Sequence, residues 1–192
     1  MRKILISVMI ISLVCALLGA GVYASFSDTE TSSNNQFVAG TLDLTVDAEN
    51  PWSTTKIDVS GMKPGDSGVA TCTLYNDGTL DASSLLVDIT NLSDSEGANP
   101  EPEGDTTEPG DLSANMDMVI WVDTDNDGVQ DAGETVLASG KLNALSWTTH
   151  DAGSLDAGNT KYVSLTYAIA SSVGNDIQGD STTFDIEFVL NQ

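Results

Sequence analysis

A rhythm of short alternating segments most constrains what this chain can fold into. Val163, Leu165, Tyr167 and Ile169 alternate with polar or small neighbours, and Phe184, Ile186, Phe188 and Leu190 alternate against Asp185 and Glu187. A period of two puts every apolar residue of such a segment on one face of a half-buried strand. Helical periodicity is almost absent beyond the first 24 residues. The pattern predicts strands over 37–46, 56–60, 67–75, 84–90, 116–123, 135–138, 161–170 and 182–190, with a short helical connection at 142–146. Turn chemistry separates them at Lys63-Pro64-Gly65-Asp66, Asn76-Asp77-Gly78 and Asp156-Ala157-Gly158-Asn159. Many short strands divided by Gly/Asp turns predict an all-β chain, an antiparallel β-sandwich of jelly-roll type with long surface loops.

The N-terminus has a different character. Arg2 and Lys3 precede an apolar run from Ile4 to about Val22, which ends in Val22-Tyr23-Ala24 before polar Ser25-Phe26-Ser27-Asp28. Charged start, apolar middle and small-residue end are the order of a cleaved secretory signal peptide, 1–24. The run is also long enough for a retained anchor, but Ala24 is well placed for cleavage and no stop-transfer charge cluster follows. The expectation is a secreted protein, in contact with membrane and signal peptidase only before cleavage.

Removing 1–24 takes away Arg2, Lys3 and Cys15. What remains is Lys56, Lys63, Lys141 and Lys161 against 29 acidic residues, a formal charge of −25 with no arginine. Such a surface repels nucleic acid and anionic membranes and favours cations. Cys72 is then the only cysteine, so no intramolecular disulfide is expected. It shares a strand face with Ala70 and Leu74, which reads as a buried thiol. With no CxxC and no cysteine–histidine cluster, zinc and iron–sulfur sites lack ligands. The stretch 93–111 holds three prolines, three glycines, seven acids and no large apolar residue before Asp111, and is expected to be an acidic flexible loop. Asn91-Leu92-Ser93, just before it, is a glycosylation sequon.

One stretch carries metal chemistry. In "DTDNDGVQDAGE" (123–134), Asp123, Asp125, Asp127, Gly128, Val129, Asp131 and Glu134 occupy positions 1, 3, 5, 6, 7, 9 and 12 of a calcium loop. Calcium takes six to eight hard oxygens in flexible geometry. Alternate carboxylates of a tight loop converge on one point, Gly128 allows the bend, Val129 offers its carbonyl, and Glu134 closes the cage. The same residues also fit a solvated hairpin turn built on Asp127-Gly128. The glutamate at position 12 favours calcium. The flanks are β-formers, so this is the loop without helices, set between strands. Catalysis has little footing: His150 is the only histidine and reads as a loop residue, and there is no HExxH, no GxSxG and no phosphate loop.

Ser25-Phe26-Ser27-Asp28-Thr29-Glu30, followed by Phe37-Val38-Ala39-Gly40-Thr41-Leu42-Asp43-Leu44, resembles the mature N-terminus of the TasA/camelysin family. Met62-Lys63-Pro64-Gly65-Asp66, Leu74 through Ala82, and Ile120 through Glu134 resemble its archaeal members. The resemblance implies a jelly-roll subunit of extracellular fibres, either biofilm matrix or bundling pili. It also implies processing by a SipW-type signal peptidase and head-to-tail homopolymerisation, in which the N-terminal segment of one subunit adds as a strand to the next. The metallopeptidase label of camelysin finds no zinc ligands here, and the expectation is a protein that is not an enzyme. The layout that follows is a signal peptide at 1–24, a donor-strand segment at 25–36 and a β-sandwich at 37–192. Residues 25–36 are polar, without Gly or Pro, and Phe26 is their only large apolar residue. That fits a donated strand anchored by Phe26 or a plain N-terminal tail. The other functional reading is a monomeric secreted calcium-binding surface or adhesion protein.

Overall fold

The computed structural model describes residues 1–21, 36–96 and 109–192. The chain divides into two compact units, Met1–Val38 and Ala39–Gln192. The first contains helix α1 (Arg2–Gly21). Among the described residues no helix is long and apolar enough to cross a membrane. The expected cleavage tripeptide at 22–24 and residues 25–35 of the expected donor segment lie outside the described residues.

The second unit is mostly β. In chain order it holds β1 (Leu44–Val46), β2 (Ser67–Asn76), β3 (Ser84–Ser95), α2 (Leu112–Asn115), β4 (Met116–Asp123), β5 (Thr135–Lys141), α3 (Leu142–Leu145), β6 (His150–Asp151), β7 (Thr160–Ile169) and β8 (Ser181–Asn191). These form a five-stranded sheet, β1-β2-β7-β4-β5, and a three-stranded sheet, β6-β3-β8. Every pairing is antiparallel. The pairs β2–β7, β3–β6 and β4–β5 are nested in sequence, and β8 joins on the outer side of β3.

One core draws on both sheets. Cys72, Leu74, Met118, Ile120, Val163 and Leu165 from the larger sheet pack with Leu85, Val87 and Ile89 of β3. Each of the three β3 residues is fully buried, which stabilises by about 1.5–3 kcal/mol per side chain. Cys72 is enclosed among them, and burial pushes its thiol up to about 12.

Three strand expectations change. Of 37–46 only the last three residues are strand. Ahead of them the backbone turns to bond the 76–80 turn: Thr79 and Leu80 amides donate to the Thr41 carbonyl and the Asp77 amide to that of Asp43. A Cβ at Gly78 would collide with the Thr41 carbonyl and the Asp43 amide, so only glycine fits there. Residues 56–60 have the alternation of a strand but no ladder. Between Pro51 and Met62 no backbone-to-backbone hydrogen bond forms among the described residues. In contrast, β3 runs further than its apolar pattern, to Ser95. It passes a bulge at Asn91, whose φ is +52°, and resumes pairing with Ser93 opposite Thr183.

The acidic stretch expected at 93–111 therefore begins inside a strand. Its residues 97–108 lie outside the described set, and α2 follows directly after Asp111, with the Ser113 amide and hydroxyl bonded to Asp94. Asn91 of the sequon is exposed and donates its side-chain amide to Asp185 at 2.7 Å. His150 is not in a loop but in β6, opposite Val87.

Because the Cys72 thiolate is disfavoured and enclosed, a Cys15→Ser variant is expected to resist iodoacetamide at pH 8. It should label at the rate of a free thiol only in denaturant. Fast labelling of the native protein would show that this part of the core opens.

Candidate metal centre

The loop at 124–134 joins β4 to β5, and its geometry starts from the alternation of β4, whose pairing with β7 is unbroken to Asp123. Met116, Met118 and Ile120 point into the core, whereas Asp123 lies on the same face as Trp121, outside it. In register, Trp121 stands beside Ser164 of β7, and Ser164 stands beside Thr71 of β2. Trp121, Ser164 and Asp123 are nonetheless all buried, at 0–1% exposure. The loop folds back over this end of the sheet: Gly128 comes to lie against Val69 and Thr71.

Asp123 organises that return. Its Oδ1 accepts the Asn126 amide at 2.6 Å, and its Oδ2 accepts the Gly128 amide at 2.9 Å and the Ser164 hydroxyl at 2.7 Å. The Ser164 hydroxyl lies 2.7 Å from that of Thr71, so a chain of three side chains ties the loop to β7 and β2. Burial works to raise the Asp123 carboxyl, but the Ser164 hydroxyl and the loop amides outweigh it and hold the group below its ordinary range. Asn126 and Gly128 take left-handed backbone, at φ +61° and +72°, which gives the sharp bend.

Glu134 closes the loop from its far end. Its Oε1 accepts the Thr124 amide at 2.6 Å and its Oε2 the Asp131 amide at 3.0 Å. Those two bonds hold its carboxyl below the usual glutamate range. Asp125 moves the other way, raised by desolvation and then by the like charges of Asp127, Asp123, Asp131 and Glu134. The same crowding that strains Asp125 is what a cation would relieve.

The carboxylates form two overlapping groups. Oxygens of Asp123, Asp125 and Glu134 lie within 4.8 Å of one another, as do those of Asp125, Asp127 and Asp131. Asp125 is common to both. Five of the six residues expected as ligands are thus brought together and could hold a metal ion. Val129 is at the exposed rim, where its amide donates to Asp127 Oδ1 at 2.7 Å. An all-oxygen set suits a hard cation and not zinc, which prefers nitrogen and sulfur.

Sequence spacing did not point to Ser164 or Thr71. Ser164 is a polar residue in an alternating strand, which ordinarily marks a solvated face. Only the folded-back loop makes it an internal support.

A second feature lies on the inner side. The space along β8 forms a groove of about 1060 Å³, with Trp52, Met62, Met118, Tyr167, Phe184 and Ile186 among its walls. On β8, Phe184, Ile186, Phe188 and Leu190 are only half-buried, although they pack against the core.

No curated protein matches the chain. Among solved structures it is similar to AvmM, which catalyses macrocyclisation in alchivemycin A biosynthesis, with TM-score 0.30 and 8% identity over 78% of this chain and 88% of that one. It is also similar to Spo0M, a sporulation control protein from Bacillus subtilis, with TM-score 0.23 and 12% identity over 81% of this chain and 50% of that one. Likenesses this distant carry no argument about fold or chemistry. The family model described as camelysin metallo-endopeptidase matches residues 1–192, the whole chain, and the protein belongs to that camelysin family.

Proposed function

We propose that this protein is a secreted structural subunit of extracellular filaments, freed from residues 1–24 by a signal peptidase and built on a jelly-roll variant. It polymerises head to tail when the 25–36 segment of one copy adds as a strand to the next. The observation that carries this reading is the free edge of β8. That strand has eleven residues, one neighbour among the described residues, and apolar side chains left half-buried over a groove. An added strand would satisfy the exposed backbone groups and cover the apolar strip together. Such a contact joins two different surfaces, so it need not close and can run on as a fibre.

In the same reading the 123–134 loop holds calcium, with Asp123, Asp125, Asp127, Asp131 and Glu134 as carboxylate ligands and Val129 as the carbonyl. The oxygen-only donors, the flexible loop and the like-charge crowding support this choice. Extracellular modules bind calcium with dissociation constants of about 10⁻⁴–10⁻³ M, which matches free calcium outside cells. The role is structural: the ion offsets repulsion and fixes a strand connection.

Peptidase chemistry is not part of the reading, despite the family's name. His150 is the chain's only histidine, and its Nε2 is buried without a partner in the wall of the smaller sheet. A nucleophilic water would have no imidazole-held zinc to activate it.

Two outcomes are expected. Deleting 25–35 should leave folded monomers that electron microscopy finds unable to elongate, and fibres of normal length from that variant would sink strand donation. Adding a calcium chelator should lower the melting temperature of the full protein. The underlying loss is about 1–3 kcal/mol with the ion at ten to a hundred times its dissociation constant. Asp125→Asn, which removes the carboxylate common to both groups but no anchoring bond, should melt nearly alike with and without chelator. Equal melting of the unmodified protein in the two conditions would return the loop to a solvated turn.

A further inference from the structure

Asn91-Leu92-Ser93 is the chain's one glycosylation sequon, and the path of β3 decides where its side chains go. Up to Ile89 the strand alternates without a break: Leu85, Val87 and Ile89 are buried, and the residues between them are half-buried. Continued unbroken, a period of two would send Asn91 and Ser93 to that same covered face. Instead the ladder slips. Thr90 stands opposite Asp185 and Ser93 opposite Thr183, so three residue steps on β3 meet two on β8. The extra residue reverses the phase of the strand. Beyond it Leu92 and Asp94 are half-buried, and Asn91 and Ser93 are both exposed. The two side chains that a sequon requires are thereby turned to solvent together.

Asn91 has left-handed backbone, with φ +52°, a conformation that asparagine tolerates better than most residues. That preference accounts for an asparagine at the bulge, but not for a hydroxyl two residues further on. The Asn91 amide donates to Asp185 at 2.7 Å. Its nitrogen carries two hydrogens, so one can be replaced while the other keeps the bond to Asp185.

We propose that Asn91 carries an N-linked glycan in the exported protein. The donor is a glycan held on a polyprenyl phosphate or diphosphate carrier. Asn91 Nδ2 attacks the anomeric carbon of the first sugar. A C–N bond forms, the bond from that carbon to the phosphate oxygen breaks, and the lipid phosphate leaves with the electron pair. The displaced amide proton passes to a basic group of the transferase, and nothing is oxidised or reduced. Transfer takes place on extended chain, before β3 pairs with β8. The folded protein then needs only room for the sugar, which the exposed bulge provides. The inference rests on the export part of the function proposed above, and on neither filament assembly nor calcium.

Mass spectrometry of the protein as its own cells export it tests this. Cleavage after acidic residues releases 89–94, which holds the whole sequon. That peptide is expected to carry the added mass of a glycan, with fragmentation placing it on Asn91. Ser93→Ala changes an exposed side chain and leaves the left-handed residue alone, so it should still be exported and should lose the added mass completely. Ser93→Thr should keep it. Exported protein whose 89–94 peptide has its bare mass would overturn the site and leave export standing. Protein retained inside the cell with 89–94 bare would remove both. Added mass that survives Ser93→Ala or Asn91→Gln would also overturn the proposal, because the sugar would then sit on a hydroxyl such as that of Thr90.

Discussion

A layer of five strands shares one core with a layer of three, and most of the structure follows from that mismatch. The central strand of the smaller sheet, β3, is covered on both flanks, and Leu85, Val87 and Ile89 are fully buried. Its outer neighbour β8 has the same apolar alternation but no further strand beyond it among the described residues, and Phe184 and Ile186 are half-buried over the groove. A free edge is a hazard that proteins usually blunt with short strands or charge. The other edges fit that rule. β1 has three residues and β6 has two. β5 ends in Lys141, whose ammonium is 2.8 Å from Asp117. β8 is the exception in length, with eleven residues, and only Asp185 and Glu187 place charge along it.

The acidic loop and the groove share β4 without sharing a face. Along β4, Met116 and Met118 face the groove side and Asp123 leaves on the other. The register with β5 shifts between Ile120 and Trp121. The loop holds two of its carboxylates in place by itself, since Asp123 and Glu134 are bonded by amides and hydroxyls. The unsatisfied part is electrostatic. Asp125 has no hydrogen-bonded support of that kind, and its neighbours are all of like charge. For a cation, the preorganised acids would lower the conformational demand on binding, and the crowded one would supply the drive.

Sequence made the local features legible. Strands β2, β4, β7 and β8 follow from alternation alone, and the acid loop follows from spacing within twelve residues, because those interactions are between near neighbours. Most of the failures are non-local. Residues 56–60 have strand propensity, yet a strand exists only with a partner, and none pairs with them among the described residues. Residues 37–43 were lost to the turn at Gly78, whose fit depends on atoms far along the chain. Ser164 supports Asp123 from 41 residues away, so nothing in its surroundings marks it. β6 is two residues long, too short for any period to register.

The acidity of the chain bears on how such a groove can be filled. A period of two puts Phe26, Asp28 and Glu30 on one face of an extended segment. If Phe26 enters the apolar strip, the two acids point the same way, into a groove that also contains Asp58, Asp180 and Glu187. Lys56 alone offsets them, and it is already shared with Asp47. Side-chain electrostatics therefore oppose insertion, and the favourable terms are main-chain pairing and the burial of one aromatic ring. Repulsion between exposed charges fades beyond a Debye length of about 8–10 Å at 0.1–0.15 M salt, whereas backbone hydrogen bonds are nearly indifferent to it. In the filament reading, assembly would therefore respond to the ionic strength and cation content of the surroundings. In that reading the body's charge would keep it dispersed, and it would join its neighbour through the groups that charge affects least.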